Sequence, residues 1–433
     1  MTRSKSGEAT TIQRAPSEQI VLSQADANMH ITILAFGSRG DVQPYVALGL
    51  GLQRAGHKVR LVALSQFKAF VESRGLDFFS LGVDMHDLRK AGREFKPNME
   101  RMQESFWQAS QGTQAIIFST LGINAYHVAE KLEVPCLWAL TIPIFGRTRT
   151  RPALLPPLPL GSGYNLLAHI LTEQGTQQTI GRLFNSWRQA RLNLPPIQLH
   201  RWPYTQLRGR PVPMLYCYSP IIVPKPPDWS EHAHVTGYWF LDHPPDWQPP
   251  ADLVDFLESG PPPIYVGFGS IPSRDPEKVS RIVLDALRQS GQRGVIATGW
   301  EGLSQSDLPD EVFVTEAVPH DWLFPRMAAV VHHGGAGTTG AGLRAGVPSI
   351  IAPVSNDQPF WARRVKALGA GPAPILRKRL TADRLAHAIC VAVTDESIRK
   401  RAAELGETIR AEDGVGNAVR IFNQIIDGSP TSA

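Results

Sequence analysis

VVHHGGAGTTGAGLRAGVPSIIAPVSNDQ, Val330 to Gln358, reads as strand, glycine-rich turn, helix, second strand and polar loop. Val330 and Val331 close an apolar run, and His332 to Thr339 form the turn. A helix is expected to about Ala345, ended by Gly346 and Pro348, with Ser349 to Ala352 as the next strand. Such a segment favours an anion. The first N–H groups of a helix have no intrahelical partner, and that end of its dipole is positive. Glycines let a phosphate approach the backbone, and histidines add donors. The segment therefore proposes a phosphate-bearing ligand.

The same alternation appears elsewhere. HITILAF (His30–Phe36), the GSRGD turn, a helix from about Val42 to Arg54 and KVRLVAL (Lys58–Leu64) open a parallel α/β sheet. AIIFS (Ala115–Ser119), CLWAL (Cys136–Leu140) and MLYCY (Met214–Tyr218) are short apolar runs of the kind parallel strands need. Between Thr148 and Pro213 prolines interrupt regular structure, and a long insertion with a helical patch at Ile180–Leu192 is expected. After the proline-rich stretch Pro244–Pro250 a second unit begins, with strands at PIYVGFGS (Pro263–Ser270), RGVIATGW (Arg293–Trp300) and VFVTE (Val312–Glu316). Helices near Asp395–Arg410 and Val415–Ile426 end the chain. The expected fold class is α/β: two doubly wound, Rossmann-like domains facing across a cleft, with both glycine turns at the carboxyl ends of their strands.

Composition narrows the partners. The 433 residues suit two or more domains, and the 42% apolar fraction is ordinary for a globular protein. No run approaches the roughly 18 to 20 apolar residues of a membrane span. Forty-four basic against 39 acidic residues give +5, and the pI is near 9.1, which suits an anionic small ligand or membrane surface. No clustered basic stripe with aromatics appears, so nucleic acid is not expected. Cys136, Cys217 and Cys390 are too dispersed for a zinc site or a disulfide framework, and a reducing cytoplasm fits. The polar stretch 1–29 lacks the apolar core of a secretory signal and is expected to be a disordered extension.

Several residues have competing readings. Asp41 in GSRGD is either a general base at a strand end or a helix N-cap. GFGS (Gly267–Ser270) is either a phosphate turn or an ordinary strand end. His333 suits a phosphate, whereas His332 reads as a packed core histidine; adjacent on a strand, the two point to opposite faces. Asn356, Asp357 and Gln358 combine acceptors and donors suited to a ring of hydroxyls. Trp300 could stack on a nucleobase; Trp322 and Trp361 read equally as core or rim. His57 is expected at the surface or a strand start, and RTRTR (Arg147–Arg151) as a solvated loop, with acidic lipid or phosphate as its alternative partner.

GSRGDVQPYVALGLGLQRAGHKVRLVA and VPHDWLFPRMAAVVHHGGAGTTGAGLRAGVPSIIAPVSNDQPFWARRV resemble the sterol glucosyltransferase-type branch of the family 1 glycosyltransferases. The chain is also similar to actinobacterial glycosyltransferases that decorate antibiotics, and the likeness runs from about His30 to Asn423. The resemblance implies the GT-B fold and inverting, metal-independent transfer. Asp41 then holds the position of the catalytic base; plant relatives have a histidine there, three residues before a proline, and Pro44 follows Asp41 at that distance. His333 matches the histidine that contacts the diphosphate, and Gly335, Gly337 and Thr338 match the turn that supplies backbone donors. Asp357 and Gln358 match the pair that binds sugar hydroxyls, Ser270 a phosphate contact, and Val318 a backbone contact to the base. Ser38, Arg39 and Gly40, just before Asp41, are assigned to the donor site with them. The tryptophan that plant members carry near Ala317 is missing, so base stacking is transferred to Trp300. Eukaryotic sterol enzymes carry membrane-targeting domains ahead of the catalytic part, and with about 29 residues before the first strand that route is expected to be absent.

The expected layout is an extension at 1–29, an acceptor domain at 30–235, a nucleotide-sugar domain at 236–410, and a C-terminal helix at 411–433 packing back on the first domain. The expected activity moves a hexose, glucose from UDP-glucose foremost, to a hydroxyl of a sterol, triterpenoid or other lipophilic alcohol. No cofactor is expected beyond the donor substrate. Phe95, Met99, Met102, Phe106, Trp107, Phe145, Leu154 and Leu155 are expected to make the acceptor region greasy. Peripheral membrane contact of a cytoplasmic protein is compatible with this. The alternative acceptor is a polyketide, glycolipid or other secondary metabolite, with a TDP- or UDP-(deoxy)sugar as donor. A non-catalytic nucleotide-sugar or lipid binder is disfavoured by Asp41 and the Asp357–Gln358 pair. A nicotinamide oxidoreductase is disfavoured by the lack of GxGxxG after the first strand.

Overall fold

The computed structural model describes residues 28–89, 95–153, 155–268, 276–297, 308–316 and 318–428. The expected extension, up to residue 27, lies outside them, as does Leu154. In chain order the strands are β1 (His30–Leu34), β2 (Lys58–Ala63), β3 (Asp77–Ser80), β4 (Ala115–Phe118) and β5 (Cys136–Leu140). A hairpin of β6 (Gln206–Leu207) and β7 (Arg210–Pro211) precedes β8 (Met214–Tyr216) and β9 (Ala233–Val235). Then come β10 (Ile264–Gly267), β11 (Gly294–Ala297), β12 (Val312–Thr315), β13 (Ala329–His332) and β14 (Ser349–Ile351). They form two separate parallel sheets, ordered β3-β2-β1-β4-β5-β8-β9 and β12-β11-β10-β13-β14. This is the two-domain α/β architecture expected.

Strand order reverses between β1 and β4 in one sheet and between β10 and β13 in the other. Loops leaving the sheet at such a point diverge and open a crevice. The crevice loops are Phe36–Ser38 after β1 and His333–Gly335 after β13. Apolar runs form the strands because both faces are covered: Ile31, Ile33, Leu61, Ile116, Ile117 and Leu137 are fully buried, as are Ile264, Val266, Val330 and Val331. The helix Arg39–Arg54 packs Val42, Val46, Leu48 and Leu52 onto the first sheet. Gly51 on this helix leaves room for Val415 of the helix Gly414–Ile426. The end of the chain thus docks on the first domain after the second is built.

Three expectations are sharpened or corrected. Of the two places expected for His57 it takes the strand start, directly before β2, and not the surface: it is 6% exposed, its Nε2 lies 3.0 Å from Asn423 Oδ1, and its ring meets Phe422 edge-on. Its burial depends on a helix far downstream. The helical patch Ile180–Leu192 is the tail of a 30-residue helix, Gly161–Ala190. RTRTR is a structured strap, not a solvated loop. Arg147 pairs with the buried Glu173, and Asp228 accepts from Thr148 Oγ1 and Arg149 N, each at 2.6 Å. Arg151 donates to Pro143 O at 2.9 Å and lies over Trp229 and Phe360.

The segment joining the sheets is held from both sides. Arg74 Nη1 donates to Asp242 O at 2.8 Å and Gln43 Nε2 to Leu241 O at 3.4 Å. Arg344 pairs with the Asp242 carboxylate, and His243 Nδ1 lies 2.6 Å from Asp321 Oδ2. Among the described residues no helix is long and apolar enough to cross a membrane.

Candidate active site

Asp41 stands at the third position of its helix, so it is not the N-cap; Ser38 is. Its Oδ2 accepts from Ser38 N at 2.8 Å and Ser38 Oγ at 2.9 Å. Asp41 therefore braces the helix start through one oxygen without being its N-cap. Gly37 has φ +139°, and a Cβ there would sit 2.5 Å from Asp41 Oδ2, so the sharp exit from β1 needs glycine. Burial raises the Asp41 carboxyl above its ordinary range, and the Ser38 hydrogen bonds oppose that rise. Ser38, Arg39 and Gly40 are exposed at the rim, and Arg39 lies 4.9 Å from the Phe70 ring centre.

The opening segment places its parts in a different register than expected. β13 extends through His332, and the helix begins at Ala336, so the turn is only His333–Gly335. His332 is fully buried, and its Nδ1 accepts from Gly334 N at 3.0 Å. That bond assigns the ring proton to Nε2 in the neutral imidazole. Gly334 has φ +90°. Gly335 is the N-cap, and a Cβ there would lie 2.6 Å from His333 Nε2. The missing side chain lets the His333 ring lie across the helix N-terminus. Burial lowers the His333 pKa, favouring a neutral imidazole, and among the described residues its Nδ1 has no hydrogen-bond partner. Gly337 is exposed and Thr338 half-buried in the first turn, where backbone N–H groups point out of the helix.

Asp357 and Gln358 start the next helix, Gln358–Ala367, with Asp357 at the N-cap. Trp361, fully buried, donates its indole N–H to Asp357 Oδ2 at 2.8 Å. Burial lifts the Asp357 pKa to about 6; the Asp41 charge adds to the rise, and the hydrogen bonds oppose it. Gln358 is 4% exposed, and its Oε1 accepts from Val354 N at 2.8 Å and Ser355 N at 3.2 Å. Its amide oxygen therefore shapes the loop. Asn356 adopts φ +58° in this bend.

These two halves face each other. Asp41 perturbs Asp357, and the positive charge of Arg39 reaches His320, each across the boundary between the sheets. His320 was not singled out from the sequence. It opens the short helix after β12, stacks on Phe324 at 4.2 Å, and is held to a pKa of about 4 by burial, Arg39 and His333. Its signal was available: a Pro–His pair just beyond a strand end, on the same edge as the glycine turn. Val318 is half-buried beside it. Ser270 and Trp300, with Ala317, lie outside the described residues.

Of the apolar residues expected around the acceptor, Met102, Phe106 and Phe145 are buried in the first core, and Met99 and Trp107 pack against it half-buried. Leu155 is exposed; the Phe95 side chain and Leu154 lie outside the described residues. Among the described residues, no three His, Cys, Asp or Glu side chains converge as a metal site would require.

Known proteins match both halves. The family described as Glycosyltransferase family 28 N-terminal domain covers residues 31–130, and the Erythromycin biosynthesis protein CIII-like C-terminal domain covers 282–420. A sterol 3-beta-glucosyltransferase of Cryptococcus neoformans var. neoformans serotype D is 38% identical over 90% of this chain and 27% of its own length. The sterol 3-beta-glucosyltransferase UGT80A2 of Arabidopsis thaliana is 38% identical over 91% of this chain and 65% of its own length. The chain thus spans less than two thirds of these relatives. Among solved structures, the glycosyltransferase of kitacinnamycin has a TM-score of 0.69 at 20% identity, covering 92% of this chain and 99% of that one. The glycosyltransferase VinC in complex with dTDP has a TM-score of 0.65 at 19% identity, covering 93% and 100%. These likenesses show the GT-B fold.

Proposed function

We propose, from the likeness of this GT-B glycosyltransferase to the sterol 3-beta-glucosyltransferases, that it transfers glucose from UDP-glucose to the hydroxyl of a sterol or similar lipophilic alcohol. Asp41 takes the proton of the acceptor hydroxyl. The oxygen attacks the anomeric carbon from the face opposite the leaving group, and the bond to the diphosphate breaks as UDP leaves with the electron pair. The configuration inverts. Negative charge growing on the diphosphate is met by His333 and the helix N-terminus at Ala336, without a metal ion. Ser270 is assigned to the same charge. Asp357 and the Gln358 amide hold sugar hydroxyls, Val318 meets the base, and Trp300 is assigned to stack on it.

The observation that supports this reading is placement: Asp41 starts the helix after β1, the His333–Gly335 turn heads the helix after β13, and Asp357 heads the helix after β14, all beyond the carboxyl ends of parallel strands. On this reading Asp41 serves the acceptor, and the turn and Asp357 serve the sugar donor. The raised Asp41 carboxyl is a stronger base than an exposed one. The names of the relatives supply the sterol and the glucose. The test is incubation of the purified protein with UDP-glucose and a sterol, with the product identified by mass and its anomeric configuration by NMR. A β-linked steryl glucoside is expected. Hydrolysis of the donor without a glucoside, transfer only to other acceptor classes, or an α-linked product would refute the proposal.

A further inference from the structure

The strap and the start of the long helix expose a cluster of leucines. Leu155, Leu158, Leu160, Leu167 and Leu171 are 36% to 64% exposed. Exposed apolar side chains scattered singly need no explanation, but a contiguous patch does. The two segments that carry the leucines are bonded to each other. Tyr164 Oη donates to Pro156 O at 2.7 Å, Asn165 Nδ2 donates to Arg149 O at 2.9 Å, and His169 Nε2 lies 3.2 Å from Arg151 O. The strap is thereby tied to the first turns of the helix Gly161–Ala190. From Pro152 to Thr172 the sequence holds no charged residue, and from Thr141 to Thr172 it holds three arginines and no acid. Arg147 is taken by Glu173 and Arg151 is turned inward over Trp229 and Phe360, whereas Arg149 is exposed at the edge of the leucines.

We propose that this patch is a docking surface for an anionic lipid bilayer, with the leucines entering the acyl boundary and Arg149 meeting headgroup phosphates or carboxylates. A rim cation beside uncharged apolar surface complements such a bilayer, in which leucines gain by burial and arginine by charge. The strap that carries the patch also touches the second domain: Arg151 lies 5.9 Å from the ring centre of Phe360, on the helix headed by Asp357. Such a surface would bring the first domain to a bilayer that holds lipophilic alcohols. The purpose of the surface rests on the proposed transfer to such an alcohol, but the binding does not.

The test uses the full chain and phosphatidylcholine vesicles with and without phosphatidylserine, read by co-sedimentation. Leu158→Ser/Leu160→Ser/Leu167→Ser and Arg149→Glu are compared with wild type, with thermal unfolding as the check on folding. Wild type is expected on both vesicle types, more on the anionic one. The triple variant should partition on the order of tenfold or more weakly to both, and Arg149→Glu should lose only the anionic preference. Both variants should keep wild-type transfer to a cyclodextrin-dispersed sterol. Vesicle binding that follows the leucines while no variant, nor wild type, glycosylates the dispersed sterol would support the surface and sink the proposed activity. Absence of wild-type binding, or equal binding by folded variants, would overturn the surface. So would a wild-type dimer that the leucine substitutions dissociate without changing vesicle binding.

Discussion

Asp41 and Asp357 stand at helix starts on the two domains, and each carboxyl is raised above its ordinary range, chiefly by burial; at Asp357 the Asp41 charge adds to the rise. Loss of solvent disfavours the ionised form of a carboxyl. Hydroxyl donors from a ligand would favour that form again.

A first prediction follows for pH. Asp357 titrates near 6 in the free protein, and only its ionised form accepts two hydroxyl donors without offering a proton. UDP-glucose affinity should fall as pH drops through 6, while UDP affinity should hold. For the free protein the sign is opposite. A carboxyl raised above its unfolded value costs stability as pH climbs from the ordinary carboxylate range to about 6, and Asp357→Asn should flatten that segment of the curve. Calorimetric titration of both ligands across this range, with thermal unfolding, checks both signs.

Asp41→Asn should also move Asp357. Removing the facing charge should lower the Asp357 pKa below that of wild type, read by carboxyl carbon NMR. An unchanged value would mean the two groups do not share a space.

Trp361 is expected to act through Asp357. Trp361→Phe removes the 2.8 Å indole bond while keeping most of the ring volume. Loss of a hydrogen bond to a charged group costs about 1.5–3 kcal/mol, so KM for UDP-glucose should rise by roughly ten- to a hundredfold, with kcat changed less. A pure packing defect would instead lower Tm and leave KM alone.

Gly335→Ala tests the turn. The backbone at Gly335, φ −62° and ψ 145°, suits any residue, so strain is not the issue. The new methyl would meet His333 Nε2 at 2.6 Å and push the ring off the helix N-terminus. UDP binding should weaken about tenfold or more, in keeping with loss of one or two hydrogen bonds to a charged group, with little change in Tm. Gly334→Ala, at φ +90° and against Ile351, should instead lower Tm.

Much of this was legible because strands buried on both faces must be apolar runs, and because glycine and proline punctuate them. β1, β2, β4, β5 and the ends of β13 and β14 were read within a residue or two, whereas the helix between β13 and β14 starts inside the expected turn, at Ala336. β3 and β9 were missed, being short strands at the sheet edge and in polar context. The 30-residue helix was half missed because its first turns carry leucines facing outward and glycines at 163 and 175, which erase the amphipathic period. The burial of His57 at its strand start was not legible because its partners Phe422 and Asn423 come from the far end of the chain. RTRTR looked solvated because Asp228, which anchors it, is eighty residues downstream. In the site, Asp41 and His333 stood out at strand ends and drew their roles from the family resemblance, but His320 and the inward turn of the Gln358 amide oxygen depend on how three loops converge.

The most direct test of the central claim is single-turnover transfer by Asp41→Asn with UDP-glucose and a sterol. Asparagine can still accept from Ser38, so the helix start should survive. The expected result is a rate lower by about 10²–10⁴, the usual contribution of a general base, with UDP affinity unchanged. Turnover near the wild-type rate, with donor binding intact, would contradict the assignment of Asp41 as the base.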